Sequence, residues 1–433
     1  IIVVIVMVKD IIFGLTEKKY RWILLLTLAL VYFFVYFHRV SSAVISKDLL
    51  HEFGVSALSL GLLSSMYFYS YSLFQIPVGI FSDTIGPRKT IAFLTIFSAI
   101  GSFLFGVALN FNMALFARLI IGVGVSGVWI PALKLFSVWY SKREYATMVG
   151  VLLAVGNVGA ISASYPLALI VSDFGWRYAF YVIGIIAVFL ALISWIFIRD
   201  SPEHYLNKNK EKNVANKVSA RQHLSKDLIK LIFKNKDVWI LSIWLFVVYG
   251  ALLAYQGLWA YPYFRDVFNL SKATSGFILM FVSIGMLIGS PFVGYFSDKI
   301  MKSRKKVIII WLSCFMLPWI LISFFTARVN VSLLYLLSFW MGFFGCGNVV
   351  VFAIIKEQFP LEITGTVQSI VNVFPFVGAA FFQTFLGYIL DLVGGFDGVY
   401  PVEAYSLAFK FVFAFVIIVY LMSFFVKETL TTD

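Results

Sequence analysis

Three cations of this 433-residue chain stand where a cation is expensive. Arg39, Arg118 and Lys134 each fall inside apolar runs long enough to cross a bilayer, and His38 adjoins the first of them. An ionisable side chain at membrane depth costs at least roughly 2.5–3.5 kcal/mol and marks a functional site by default. Arg39 lies eight residues before Lys47, Arg118 eight after Asn110 and Lys134 eight before Lys142. Eight residues of helix are about 12 Å of depth. All 21 Asp and Glu fall in loops or at the ends of the runs, with Glu357, Asp391 and Glu403 coming nearest to the interior. Buried positive charge therefore lacks an acid at its own depth, which is unfavourable in a low dielectric. A water-filled cavity that receives an anion would satisfy all three residues. Arg39 would neutralise the anion's carboxylate or phosphate, and Arg118 or Lys134 would assist. His38 is the single intramembrane group that titrates near neutrality, so a proton is a candidate coupling ion. Exchange and facilitated diffusion fit equally well.

Uncharged residues suggest the rest of a cavity lining. Tyr36 precedes His38, and Tyr71 closes the series Tyr67, Tyr69, Tyr71. Asn157 stands between Gly156 and Gly159, Tyr255 beside Gln256, Asn348 after Gly345-Cys346-Gly347, and Asn372 shortly before Pro375. Pro131 and Pro375 are breaks that would help their helices bend. Other chemistry is missing. There is no G-x-x-x-x-G-K-[ST] loop for ATP, no metal-ligand spacing among four His and two Cys, and no dinucleotide fingerprint or Ser/His/Asp set. The expectation is a protein without metal or cofactor, and not an enzyme.

The elements that must position these residues follow from composition. The chain is 61% hydrophobic, 18% aromatic and 13% charged, with mean hydropathy +0.94, where a soluble domain carries about 25% charged residues. Twelve apolar stretches of about 20 residues or more lie near 22–46, 59–82, 90–109, 112–139, 145–172, 176–198, 238–263, 273–296, 306–327, 331–356, 363–390 and 403–426. The polar stretch 199–237 reads as a basic linker, so the expected organisation is an N-terminal segment 1–21, a six-helix bundle 22–198, the linker, a second bundle 238–426 and a tail 427–433. Met7 is a plausible native start. Of the 34 Lys and Arg, three lie inside spans and six (Lys47, Arg177, Arg265, Lys272, Arg328, Lys410) on one side. The remaining 25 gather on the side of both termini, which positive-inside sorting makes cytoplasmic. The net charge of +13 is thus a topology signal and does not call for nucleic acid; lipid is the second partner it addresses.

The two halves repeat. Ser56-Ala57-Leu58-Ser59-Leu60-Gly61 matches Ser271-Lys272-Ala273-Thr274-Ser275-Gly276, and Gly79-Ile80-Phe81-Ser82-Asp83 matches Gly294-Tyr295-Phe296-Ser297-Asp298, both at an offset of 215 residues. Basic clusters follow each, Arg88-Lys89 and Arg304-Lys305-Lys306, and Gly159-Ala160 echoes Gly378-Ala379. Parallel repeats of six spans are related by an axis along the membrane normal. The segment from Gly79 through Asp83 and Gly86 to Arg88-Lys89 resembles the signature G-x-x-x-D-x-x-G-R-[KR] of the major facilitator superfamily, with Pro87 inserted. Arg118-Leu119-Ile120-Ile121-Gly122-Val123-Gly124 resembles its fourth-span R-x-x-x-G-x-G. Placement of Tyr36-Phe37-His38-Arg39 is similar to the first-span arginine of organic-anion and sugar-phosphate members.

That resemblance implies an all-α membrane protein of twelve helices in two pseudo-symmetric bundles, working as a monomer in a bacterial inner membrane. It also implies a latch on the cytoplasmic side, in which Asp83 meets the eleventh span and clusters with Arg88 and Lys89. The symmetry mate Asp298, with Gly294 and Arg304, would face the fifth span near Arg143. The leading expectation is a porter of a small organic anion. Uptake of amino acids or other zwitterions is an alternative, as is proton-driven export of drugs. A channel or a non-transporting receptor would be a different class.

Overall fold

The computed structural model describes residues 16–202 and 234–430; the expected start at Met7, most of the 199–237 linker and the extreme C-terminus lie outside the described residues. Twelve long helices carry the described chain: α1 Glu17–Phe53, α2 Ala57–Thr84, α3 Pro87–Gly106, α4 Phe111–Trp139, α5 Arg143–Phe174, α6 Trp176–Phe197, α7 Lys236–Phe268, α8 Lys272–Met301, α9 Arg304–Phe324, α10 Val331–Gln358, α11 Ile363–Val393 and α12 Val402–Ser423. Eleven are long and apolar enough to cross a membrane. The other, α2, is diluted by serines and tyrosines, yet its 28 residues reach about 42 Å, more than the roughly 30 Å of bilayer hydrocarbon. The chain is an all-helical integral membrane protein.

The repeat seen in sequence is a repeat of local stereochemistry. Ser56 accepts a hydrogen bond from Ser59 N at 3.4 Å, and Ser271 one from Thr274 N at 3.1 Å, so the same cap starts α2 and α8. Asn110 and Asn330 cap α4 and α10 in the same way, at 2.9 and 2.8 Å. These side chains satisfy donors that a helix start leaves unpaired. Before α2, the chain turns at Gly54 with φ 58°; before α8, Asn269 does so with φ 51°. Asn is the residue other than glycine that tolerates this left-handed conformation best.

Broken helices also come in pairs. α4 is interrupted after Ser126 and α10 after Gly345, while α5 breaks after Ser162 and α11 after Val371. Each interruption sits beside glycine or proline, where the i→i−4 ladder is weakest. α7 differs from α1, because it winds into π turns at Leu245–Tyr249 and Tyr255–Trp259.

Glycines set how closely helices approach, as expected where lipid supplies no hydrophobic drive. A Cβ on Gly159 of α5 would overlap the Phe33 carbonyl of α1, and a Cβ on Gly378 of α11 would overlap the Phe246 carbonyl of α7 in the same manner. Between the halves, Gly61 of α2 lies on the Gln383 carbonyl of α11, and Gly387 of α11 on the Ala57 carbonyl. Gly276 of α8 faces the Ser164 carbonyl of α5, 3.0 Å from the position of an added Cβ. All these inter-half contacts lie towards the face bearing Gly54, Asn269 and Gly394, here called the opposite face. Towards the terminal face, where Glu17 and Ser423 lie, the seam is open. A Cβ on Gly79, Gly150 or Gly365 would meet nothing within 4 Å, and one on Gly294 only Val349 at 4.0 Å.

Polar ties follow the same division. On the opposite face Lys47 Nζ reaches Asp266 Oδ1 and Gly398 O, each at 2.5 Å, and Lys272 Nζ reaches Asp48 at 2.6 Å. Asp391 of α11 accepts from Ala57 N and Leu58 N at 3.0 and 2.8 Å, so one half caps a helix of the other. Tyr400 donates to Asp391 at 2.7 Å. Burial and this carboxylate hold its phenol protonated well above the usual range. On the terminal face, pairs such as Arg21–Glu144 at 2.5 Å and Arg304–Glu357 at 2.7 Å stay within one half.

Gly159→Val and Gly378→Val should each lower the melting temperature of detergent-purified protein by several degrees. Overpacking costs about 1–3 kcal/mol, and a large domain loses roughly 2–4 °C per kcal/mol. Gly79→Ala and Gly150→Ala should stay within about 2 °C of the parent on that same scale, since the added methyl touches nothing.

Candidate functional site: a buried guanidinium at the seam between the halves

α1 continues past its expected end at 46 to Phe53, so Arg39 stands fourteen residues from the helix end, about 21 Å, deeper than the sequence suggested. Its residue is 4% exposed. The guanidinium lies over the ring of Tyr36 on its own helix at 4.2 Å, over Phe376 of α11 at 5.0 Å and over Tyr71 of α2 at 5.5 Å. Tyr71 and Phe376 touch across the seam, with ring centroids 4.6 Å apart. Arg39 thus faces both halves at once. Ring faces attract a desolvated cation by up to about 2 kcal/mol each, but they do not neutralise it. Arg39 Nε has no hydrogen-bond partner among the described residues, and no ion pair among them includes Arg39.

The second layer of the site is aromatic and amide. Tyr32 packs against Tyr36 at 5.2 Å and against Trp129 of α4 at 5.4 Å. Gly156 of α5 permits this, because a Cβ there would sit 3.0 Å from the Tyr36 ring. The next residue, Asn157, donates to Leu153 O at 3.0 Å and keeps its Oδ1 buried and unpartnered. Gln75 lies one turn beyond Tyr71, with its side chain in hydrogen-bonding reach of that phenol. Tyr249 of α7 reaches Tyr36 from the other half. The second π turn of α7 brings Gly257 against the Arg39 carbonyl, at 2.8 Å from an added Cβ. Such turns recur at functional sites.

Tyr36 and Tyr71 are therefore brought around Arg39, and the other expected members are placed as follows. His38 directly precedes Arg39 but, about 100° around the helix from it, faces Phe180 of α6 with no surface exposed. Arg118 is 1% exposed and enclosed by Phe105 and Tyr67, 5.6 and 5.8 Å from its guanidinium carbon. Its Nε and Nη1, like both nitrogens of His38, lack partners among the described residues. Tyr67 stands between the two arginines, stacked on Tyr71 at 6.2 Å.

Lys134 is corrected outright. It pairs with Asp83 Oδ1 at 2.7 Å and with Ser82 O at 2.8 Å, so a loop-edge carboxylate that sequence spacing kept apart reaches it across α2 and α4. Tyr255 packs among Trp319, Phe264 and Phe409 inside its own half. Gln256 donates to Ser283 Oγ of α8 at 2.6 Å. Asn348 opens the second segment of α10 and Asn372 closes the first segment of α11. These residues were expected by type, as polar groups in apolar runs, and type alone does not fix the face on which a side chain emerges. Phe376, Gln75 and Tyr249, which were not among the expected residues, join this ring set. Only the Pro375 break hinted at the first of them.

The expected latch is also rearranged. Asp83 meets Lys134 of its own half rather than α11 and Arg88. Arg88 donates to Trp195 O at 2.8 Å, lies over that indole at 4.6 Å and takes Asp200 on its backbone N at 2.8 Å, while Lys89 is exposed. Asp298 pairs with Arg304, which also holds Glu357 at 2.7 Å, and Arg143 is exposed. The physical reason is the open seam: Gly79 and Gly294 of the signature segments have almost nothing beside them. Glu428 caps α9 through Arg304 N at 2.8 Å and the Ser303 hydroxyl. Burial opposes its charge, yet these donors hold its pKa below the usual carboxylate value.

Comparison with known proteins agrees with this architecture. A family model described as the Major Facilitator Superfamily matches residues 28–300 and 257–431. A probable L-galactonate transporter of Escherichia coli K12 is 25% identical over 88% of this chain and 87% of its own. A probable sulfoacetate transporter of Cupriavidus necator is 24% identical over 88% and 89%. Among solved structures, a bacterial homolog of the human lysosomal transporter Spinster, inward-facing and unoccupied, superposes with a TM-score of 0.74 at 17% identity over 94% of this chain and 97% of that one.

Two buried arginines without acids should cost stability that a neutral side chain would return. Arg39→Met and Arg118→Met should each raise the melting temperature of the ligand-free protein by a few degrees, because apolar replacement of buried charge is stabilising by about 1–4 kcal/mol. Differential scanning fluorimetry reads this directly; a lowered value would mean that both charges are already balanced.

Proposed function

This chain belongs to the Major Facilitator Superfamily, a family of membrane transporters and not of enzymes, and on that premise we propose that it carries a small organic anion held at Arg39. One observation carries the reading: a deeply buried guanidinium at the seam of two halves, ringed by aromatic faces and without an acidic partner among the described residues. An anion bound there supplies the missing charge. The same lack of a carboxylate beside Arg39 disfavours zwitterions, whose ammonium group would have no counterpart, and disfavours export of cationic drugs.

Transport is secondary active or facilitative, by alternating access. The asymmetry of the seam supports this. Ion pairs and glycine contacts join the halves on the opposite face, while four glycines at the terminal face stand free. Rocking the halves about Arg39 would break Lys47–Asp266 and Lys272–Asp48 and bring Gly79 and Gly365, and Gly150 and Gly294, into contact. Tyr71 and Phe376 form a thin lid on the guanidinium that the anion must displace. Positive-inside sorting supports a cytoplasmic terminal face, and the reading places the protein in a bacterial inner membrane as a working monomer. A proton, if coupled, would have to use His38, which is sealed from the seam; flux insensitive to a pH gradient is the outcome this arrangement favours.

In proteoliposomes, Arg39→Ala should reduce uptake of a transported organic acid at least about a hundredfold, the scale of losing a buried charge partner. Lys134→Ala should retain uptake within a few-fold. Wild-type flux by Arg39→Ala would overturn the assignment. With Cys314 and Cys346 replaced by Ser, a thiol at Gly150→Cys should react with an impermeant maleimide added at the terminal face. One at the buried Ser46→Cys should react only in protein captured open to the opposite face.

A further inference from the structure

We propose that the hairpin joining α11 to α12, residues 394–401, is a strap that holds the opposite face shut, and that Tyr400 is the residue through which it does so. This rests on the alternating-access reading above and names the part that must detach. The two halves differ here. In the N-terminal half Gly175 alone joins α5 to α6, and the next two residues, Trp176 and Arg177, donate to Glu52 of α1 at 2.7 and 3.1 Å, inside the same half. In the C-terminal half the connection has a structure of its own. Phe396 and Val399 exchange both backbone hydrogen bonds, at 3.0 and 2.9 Å, around Asp397 and Gly398, whose φ angles are 50° and 69°. Left-handed φ at both central residues is the tight hairpin turn for which Asp-Gly is a preferred sequence, so local chemistry preforms the strap.

The hairpin then reaches across the seam. Gly398 O accepts from Lys47 Nζ at 2.5 Å, and a Cβ on Gly398 would lie 3.5 Å from Leu50 Cβ, so the turn rests on the end of α1. Tyr400 is 6% exposed. Its hydroxyl donates to Asp391 Oδ1 at 2.7 Å and accepts from Ala57 N of α2 at 2.9 Å, while its backbone N donates to Asp266 Oδ2 at 3.1 Å. Those two carboxylates hold the other half: Asp391 caps α2, and Asp266 pairs with Lys47. Tyr400 thus orients both acceptors and adds a contact across the seam itself. The α1–α2 corner can leave α7 and α11 only when the strap releases Lys47, Leu50 and Ala57. Ala57 N and Leu58 N belong to the first turn of a helix, where water can take the place of the lost acceptors. Release therefore leaves no buried donor unpaired.

The test reads exposure of the seam and needs no cargo, so it stands apart from the anion assignment. In protein with Cys314 and Cys346 replaced by Ser, the probe is Ser65→Cys, because Ser65 is buried on α2 and meets Thr384 of α11 at 3.2 Å. Tyr400→Phe keeps the ring and removes the hydroxyl. It should raise the rate at which an impermeant maleimide, added at the opposite face, labels that thiol at least about tenfold, the scale of losing one hydrogen bond to a charged group. Phe396→Ala, on the same hairpin but 88% exposed, should leave the rate unchanged. Lys272→Ala breaks a tie that does not touch the strap and should raise the rate only a few-fold. A parental rate in Tyr400→Phe beside a raised rate in Lys272→Ala would overturn the strap and leave alternating access standing. Parental rates in both would overturn both. A second variant covers the case in which Tyr400→Phe does not fold. Leu50→Cys combined with Gly398→Cys places two Cβ atoms 3.5 Å apart, a separation that suits a disulfide. Oxidation with copper phenanthroline should abolish labelling of Ser65→Cys, read by peptide mass, and reduction should restore it. Labelling that survives complete cross-linking would overturn the proposal.

Discussion

A single guanidinium sits where two helical bundles meet, and most of the surrounding architecture is an answer to its charge. Arg39 is buried by α1, α2, α7 and α11 together, so neither half alone could enclose it. Rings of Tyr36, Tyr71 and Phe376 lower its cost without removing it. A fully balanced ion pair at this position would lock the halves together. An unbalanced cation instead leaves charge uncompensated at the one place that both halves share, and the proposed transport cycle depends on neutralising and releasing it in turn.

The repeated glycines give that cation a mechanical setting. Gly159 against Phe33 and Gly378 against Phe246 bind the first and fifth helices within each half, so each bundle behaves as a unit. Contacts between bundles are of a different kind: short ion pairs, a helix cap offered by Asp391 and glycine–carbonyl approaches at one face only. The Lys272–Asp48 pair is partly exposed and worth about 0–1 kcal/mol, whereas the Asp266 side chain of the Lys47 pair is 2% exposed and needs that partner. A set of such ties can close one face firmly and still release it, which strong apolar packing would not allow.

How much of this was legible in the chain itself can be argued residue by residue. Arg39 was legible because a charge in an apolar run is rare and costly, whatever its neighbours. The caps at Ser56 and Ser271 and the G-x-F-S-D repeats were legible because turn chemistry is local. Lys134 was not: its partner Asp83 is 51 residues away and meets it only when α2 and α4 pack. Tyr255 and Gln256 were expected by residue type, which could not show that Tyr255 packs among rings of its own half and that Gln256 donates to Ser283. His38 and Arg39 are adjacent in sequence yet serve different surroundings, since adjacent residues of a helix point in different directions.

The amino-acid order by itself determined the membrane, the twelve crossings, the duplication and the presence of buried positive charge, because hydropathy, charge cost and capping act over a few residues at a time. Only the tertiary structure decided which cation faces the seam, which are sealed or paired within one half, and which face of the molecule is closed. Those outcomes depend on the approach of helices distant in sequence, set by glycine contacts and helix breaks whose effect on direction no local pattern encodes.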